Sequence, residues 1–449
     1  MSIEKISFLS KHKSIILLLC ISLLIRILIF IRFQPWSAEV LQHQILIFDS
    51  LGYHQLALCI QQYFSFCGDA FRTPGYPFFL AIIYNLSGSH PYVAILVQLF
   101  LNLLSILLMY KIGGELFSKK AGLISALLFS MDLHHTIFIY SILTETLYTA
   151  IFLTALLIFL RAIRSNKPKL FFIAGLLYGV SSLVRPISQF YIYCVIIFVL
   201  LWYLKNRKKA IILALLLISG YSISVAPWCY RNYNTYGHFS LSNIKGYNLL
   251  FWNASYFESK RQHKPIEEIN NNFIDTLKSM GWRPDANPFD KEHYDGLLAN
   301  KLIKAHFADY LKIHLIGTVK IHLSVGTQSL TDVLHIPSKK WSEEDKYNNG
   351  VLALIKKFFA TKTIYEIALG LFVALFLLIV YSLAAIGIYV MVKKREVLLM
   401  LFLLGSAAYF ALISGIISYA RYRLPSIPFY ILLASAGIVY LIEKRKKTS

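Results

Sequence analysis

Long uncharged apolar runs alternate with short polar segments along the whole chain. Ile15–Ile25 opens the first run, which continues past Arg26 to about Phe30. Pro91–Tyr110, Leu170–Val184, Pro186–Leu204, Ala210–Tyr230, Ile367–Val392, Val397–Ala420 and Leu424–Ile442 follow, all uncharged. A bilayer core takes about 20 helical residues, so each run reads as one span. Ala121–Leu160 is too long for one and carries Asp132, His134, His135 and Glu145; it reads as two helices joined near Asp132–Thr144. The pattern predicts an all-α polytopic membrane protein of about ten transmembrane helices. Tyr53, Ala57, Ile60 and Phe64 recur at i, i+4, i+7 and i+11, which predicts an amphipathic helix lying along the membrane surface. Leu311–Leu323 mixes Lys312, His314, Lys320 and His322 with apolar residues and suits an interfacial helix better than a span.

Composition supports this reading. Of 449 residues, 57% are hydrophobic and 15% charged, whereas soluble domains run near 45–50% and about 25%. A soluble globular enzyme, a disordered chain and a collagen-like one are excluded. The net charge of +22 raises nucleic-acid binding, but its placement argues otherwise. Of the 45 basic residues, 21 fall in short segments at residues 5–13, 111–120, 161–169, 205–209, 393–395 and 444–447, against Glu4, Glu115, Glu396 and Glu443. The loop from Phe33 to His90 has one basic residue, Arg72, and three acids, Glu39, Asp49 and Asp69. This alternation is the positive-inside pattern. Both termini are expected to be cytoplasmic, with residues 33–90 and about 231–364 outside, and no nucleic-acid partner is expected. The expected division is 1–230 as an N-terminal transmembrane module that includes loop 33–90, 231–364 as an external segment, and 365–449 as a C-terminal transmembrane module. The N-terminus lacks a small-residue cleavage site and reads as an uncleaved anchor. Cys59 and Cys67 share the first external loop, as a disulfide or as two free thiols.

Four features gather on the expected outer face. Asp49 opens the amphipathic helix, where an anionic side chain is favoured; it reads either as an N-cap or as an ionised base. Arg72 lies in Phe71-Arg72-Thr73-Pro74-Gly75-Tyr76-Pro77, a rigid turn suited to gripping a phosphate with two hydrogen bonds, or to pairing with Asp69 or a lipid headgroup. Glu145 follows Thr144 in the first turn of a span, which Thr144 would cap; intramembrane carboxylates face cavities or the bundle interior. Asp132, His134 and His135 lie across the same short loop, and these residues leave a divalent metal open without requiring one. Arg185, Arg231, Arg421 and Arg423 sit at span ends on the cation-poor side, where four guanidiniums suggest a shared anionic ligand. Singly, each could snorkel, as could Arg26.

These segments resemble the polyprenyl-phosphate-sugar-dependent glycosyltransferases of the dolichyl-phosphate-mannose-protein mannosyltransferase superfamily, which share the GT-C fold and include the aminoarabinose transferases. The resemblance rests on Asp49…Tyr53…Ala57, Arg72-Thr73-Pro74-Gly75-Tyr76-Pro77, Thr144-Glu145-Thr146-Leu147, Arg185-Pro186, Pro227-Trp228 with Arg231-Asn232, and Arg421-Tyr422-Arg423-Leu424-Pro425. It implies a GT-C bundle with an outer-face juxtamembrane helix loop, Asp49 as catalytic base, and donor-phosphate binding by Arg72, Arg185, Arg231, Arg421 and Arg423. Tyr53, Tyr76 and Tyr422 are expected in the substrate cavity. Asp49-Ser50 stands where the protein mannosyltransferases have adjacent Asp-Glu, leaving Glu145 to supply a second carboxylate. The implied activity is inverting transfer of a hexosyl or pentosyl unit from a polyprenyl-phosphate carrier to a hydroxyl of a glycolipid, glycan or protein acceptor, at the periplasmic face of a bacterial inner membrane. The rival readings are a lipid-linked-glycan flippase or transporter, for which no internal repeat is visible, and an O-antigen polymerase or ligase.

Overall fold

The computed structural model describes residues 2–68, 70–338, 351–416 and 419–448. Among them every regular element is helical. The first half runs α1 (Ser2–Phe33), α2 (Phe48–Tyr63), α3 (Gly75–Ser87), α4 (Pro91–Leu116), α5 (Lys119–Met131), α6 (Leu133–Ile137), α7 (Glu145–Ser165), α8 (Pro168–Val184), α9 (Tyr191–Trp202) and α10 (Arg207–Tyr236). The second half comprises α11 (Ile244–Tyr247), α12 (Ser255–Gln262), α13 (Ile266–Ser279), α14 (Pro288–Ala305), α15 (Phe307–Leu323), α16 (Thr327–Leu334), α17 (Val351–Thr361), α18 (Ile364–Lys393), α19 (Val397–Ser414) and α20 (Ile427–Thr448).

Seven helices (α1, α4, α7, α10, α18, α19 and α20) are long and apolar enough to cross a membrane, and α5 with α6 makes an eighth if that pair, bent by 64°, is one span. Helix α8 and the apolar stretch Pro186–Trp202 are shorter. These account for the ten predicted runs, although only seven or eight meet the length of a full crossing. The chain is an integral, multi-pass membrane protein. The break between α5 and α6 falls at Asp132, whose carboxylate accepts the amides of His134 and His135 and so starts a new helix.

Helix α7 is the most enclosed span and α1 the least, so α7 forms the bundle axis while α1 turns most of its apolar surface toward lipid. Phe152 and Phe159 of α7 carry the aromatic core against Tyr191, Phe410, Phe171 and Phe402. Helices α8 and α10 touch backbone to backbone: a Cβ at Gly175 or Gly220 would lie 2.1 Å from a carbonyl oxygen of the other helix, the small-residue contact that membrane helices use in place of a hydrophobic drive. Helix α10 continues past the predicted span end to Tyr236, with Pro227 inside it, so Arg231 and Asn232 lie on helical turns.

Residues from 231 onward build a second, smaller core from Leu250, Ile269, Phe273, Leu277, Leu298 and Ile303. Helix α15 returns to the bundle, where His314 Nε2 lies 2.8 Å from the Leu412 carbonyl oxygen. Leu311, Leu315, Val319 and Leu323 on its other face are exposed. At 17 residues, with one face on protein and an apolar stripe outward, it has the form of an interfacial helix.

Candidate active site

Five charged side chains from distant stretches meet at one end of the bundle. Asp49 lies in the first turn of α2, but Ile47 is the N-cap residue. The Asp49 carboxylate faces two guanidiniums instead: Arg72 Nη2 at 3.2 Å and Arg421 Nη1 at 3.5 Å. Asp69, the alternative partner of Arg72, lies outside the described residues. Glu145 opens α7 and receives Arg185 Nη1 at 2.5 Å, while Arg421 Nε bonds to the same carboxylate oxygen. Thr144 holds the N-cap position without capping; its hydroxyl accepts from Arg185 at 3.4 Å.

Local sequence explains the convergence. A Cβ at Gly52 would sit 2.6 Å from the Arg72 guanidinium carbon, so a residue without one leaves room for the arginine over α2. A Cβ at Gly75 would meet the Leu183 carbonyl at 2.7 Å. The Pro-Gly turn after Arg72 therefore rests against the end of α8, which presents Arg185.

The two carboxylates have unlike surroundings. The Asp49 side chain is 53% exposed and that of Glu145 only 4%. Glu145 has one oxygen under two arginines and the other buried with no hydrogen-bond partner, lining a cavity of about 10 Å³ with Asn102, His135 and Thr149. Burial works against the charge of Arg421, yet Glu145 and then Asp49 hold its pKa above the usual guanidinium value. Tyr53 lies beneath the Arg72 guanidinium at 5.2 Å, and burial, with Asp49 adding to it, pushes its phenol up to about 12. Asp49, Arg72 and Arg421 thus form the open rim; Glu145 and Arg185 form the floor.

Of the other expected site residues, Tyr422 stays at the site and the two remaining arginines do not. Arg231 lies over the rings of Trp228, Tyr236 and Phe66 at 5.0, 5.3 and 5.5 Å, and donates to the carbonyls of Phe66 and Gly68. It fastens the loop before Arg72. Arg423, 1% exposed, donates to the carbonyls of Ile321 and Ser324 and contacts His134 Nδ1 at 3.1 Å. Arg26 neither joins the cluster nor snorkels: it is buried and bonded to Asn102, Thr136 and the Ser22 carbonyl. Tyr422 is partly buried within reach of the charges of Arg421 and Arg185, whereas Tyr76 is fully buried with its hydroxyl on Gln98 at 2.9 Å, so it supports the cavity wall instead of lining it. Asp132 and His135 pair at 3.6 Å, and no group of three or more His, Cys, Asp or Glu among the described residues is arranged to hold a metal. Cys59 and Cys67 form a disulfide.

Sequence reading overlooked Gln98 and Asn102, which tie α4 to the loop carrying Ser141 and to Arg26. The signal was present: Gln98, Asn102 and Ser105 recur at i, i+4 and i+7 inside an uncharged span, where a polar stripe must face protein.

Comparison with known proteins bears on the fold that carries these residues. Residues 72–228 match the profile of the dolichyl-phosphate-mannose-protein mannosyltransferase family, a stretch that includes Arg72, Glu145 and Arg185 but stops short of Asp49 and Arg421. The archaeal oligosaccharyltransferase AglB from Archaeoglobus fulgidus, in complex with an inhibitory peptide and a dolichol-phosphate, superposes with a TM-score of 0.54 at 14% identity, over 97% of this chain and 51% of that one. The Archaeoglobus fulgidus oligosaccharyltransferase tethered to an acceptor peptide gives 0.55 at 15% identity, over 98% and 50%. The chain therefore spans about half the length of these structures, and at such identity the likeness establishes the fold. No curated protein matches the chain in sequence. The bundle is that of a polytopic membrane protein with a GT-C-like fold. Its similarity to the dolichyl-phosphate-mannose-protein mannosyltransferase family is carried by residues 72–228.

Proposed function

We propose that this protein is a glycosyltransferase that moves a sugar from a polyprenyl-phosphate carrier to an acceptor hydroxyl, with Asp49 as the base. The observation that carries the reading is a half-exposed carboxylate flanked by Arg72 and Arg421, with Arg185 behind them on Glu145. A glycosyl phosphate brings its own leaving group, so the protein has two tasks. A base takes the acceptor proton as the hydroxyl oxygen attacks the anomeric carbon. Cations stabilise the departing phosphate as the carbon–oxygen bond breaks and that bond's electron pair moves onto the phosphate oxygen. Asp49 fits the first task, and Arg72 and Arg421 the second. Glu145 is too deep and too well neutralised to meet an acceptor, so its role is to hold Arg185 and Arg421 in place.

One open carboxylate, with no second placed as a nucleophile among the described residues, supports single displacement and hence inversion at the anomeric carbon; the unit moved is a hexosyl or pentosyl group. The charge pattern of the loops supports cytoplasmic termini with the site on the opposite face, which in the bacterial inner membrane we propose for it is the periplasmic one. In that orientation 33–90 and 231–364 are the external parts of the three-part division. Arg231 and Arg423 are left out of the phosphate site because backbone carbonyls occupy them.

The test is mass spectrometry of envelope glycolipids and glycoproteins from a deletion strain complemented with wild type or Asp49→Asn. Wild type should restore one sugar increment and Asp49→Asn should not, at equal protein level; restoration by both would remove Asp49 from the chemistry.

A further inference from the structure

The reaction just proposed needs an acceptor surface on the open side of Asp49, and the phosphate-facing arginines do not supply one. The chain returning from α10 does. Trp228 Nε1 donates to the Leu241 carbonyl at 2.7 Å and Asn232 Nδ2 to the Ser240 carbonyl at 2.8 Å. The Asn243 amide then donates to the Ala70 carbonyl at 3.3 Å. These bonds lay α11 against residues 70 and 71, immediately before Arg72. Helix α11 is pressed onto α14 from behind: the Gly246 amide donates to Glu292 Oε1 at 3.1 Å, and a Cβ at 246 would lie 2.0 Å from the Glu292 carbonyl oxygen.

The residue so delivered is Tyr247. Its ring meets that of Phe71 in a T-shaped contact at 5.3 Å and that of Phe251 at 5.0 Å. Phe71 in turn lies 5.8 Å from the Arg72 guanidinium. Tyr247 remains 37% exposed. Through Phe71 and Arg72 it stands beside the Asp49 carboxylate, which lies 3.2 Å from Arg72 Nη2.

We propose that Tyr247 is a specificity-determining residue that forms the acceptor wall of the site, and that the acceptor is a carbohydrate whose ring stacks on it; this rests on the glycosyltransferase reading above. A sugar presents an apolar C–H face to an aromatic ring while its hydroxyls point outward to polar neighbours. A partly exposed phenol, backed by two rings and set on the side of the site where Asp49 is open, offers both halves of that match.

The experiment uses the full-length protein in a deletion strain, complemented with wild type, Tyr247→Phe, Tyr247→Trp, Tyr247→Ala, Tyr247→Gln or Asp49→Asn. Protein level is read by immunoblot, and both the lipid-linked donor and the glycosylated product by mass spectrometry. Phe and Trp should keep product within about threefold of wild type, and Ala and Gln should lower it about tenfold, the scale of one aromatic contact, with donor accumulating. The added sugar should sit on a glycan or glycolipid. Wild-type product from either ringless variant, or a sugar increment carried on polypeptide, would overturn the proposal. Wild-type product from Asp49→Asn would instead overturn the reading beneath it, so the two failures are distinguishable.

Discussion

Two arginine sites lie two residues apart in sequence and differ in almost everything else. Around Arg423 the guanidinium is sealed from solvent, its Nη atoms on the carbonyls of Ile321 and Ser324 and on His134. Around Arg421 the side chain is 25% exposed and its partners are carboxylates, Glu145 and Asp49. A guanidinium that satisfies backbone carbonyls is a fastener, because removing it strands buried acceptors. One that faces carboxylates at an open rim keeps directions free for an incoming anion. Residue type and nearness to a membrane surface do not separate the two; partner chemistry and burial do.

Asp49→Asn should break the open site most completely, lowering transfer by about 10²–10⁴-fold with the thermal unfolding midpoint unchanged; a lower midpoint would make Asp49 structural. Arg421→Ala should lower donor use by about 10²-fold, as loss of one charge-stabilising donor does, while acceptor dependence changes little. Arg423→Ala should do the reverse, costing about 3 kcal/mol of stability and lowering folded yield in detergent, with normal turnover per folded molecule. If Arg421→Ala unfolds the protein and Arg423→Ala silences it, the contrast drawn here is inverted.

A third carboxylate sharpens the contrast from another direction. Asp295 is buried with one oxygen unpartnered, and burial, reinforced by Glu292, pushes its pKa from 3.8 up to about 6. An acid with a raised folded pKa gives stability that is present below pH 4 and lost as pH rises through about 6. Asp295→Asn should therefore stabilise the protein at pH 7 by on the order of 2 kcal/mol. The gain should vanish below pH 4 in a melting series, and a gain that persists at low pH would point to another cause. The smallest effect is expected from Arg231→Ala, a few-fold fall in turnover as the loop ahead of Arg72 loosens. Arg231→Lys should restore little of it, since lysine lacks the planar guanidinium that lies over the rings of Trp228, Tyr236 and Phe66.

Much of the fold was legible because a bilayer makes hydrophobicity nearly one-dimensional. Any run of about 20 apolar residues has few other places to go. The split of Ala121–Leu160 and the form of α15 follow from that constraint; in α2 Ala57 and Ile60 are buried as their spacing predicts, but Phe64 falls past the helix end and is exposed. The meeting of Asp49, Arg72, Glu145, Arg185 and Arg421 was anticipated as a pocket from their common sidedness. The membership of Arg231 and Arg423 was not readable, because the carbonyls they bond come from residues 66–68 and 321–324, remote in sequence. Tyr247 was equally hidden, its link to Phe71 depending on how α11 rests on α14.

The sequence by itself determined the number of apolar segments, their approximate ends, and the concentration of unusual charges at one end of the bundle, since these depend only on composition in a short window. Tertiary structure alone decided which charges act together. Arg421 and Arg423 show why: two residues apart, they would share one face of an extended strand, but on the 3₁₀ turn at Ala420–Arg423 they point about 120° apart. One faces the rim and the other the core.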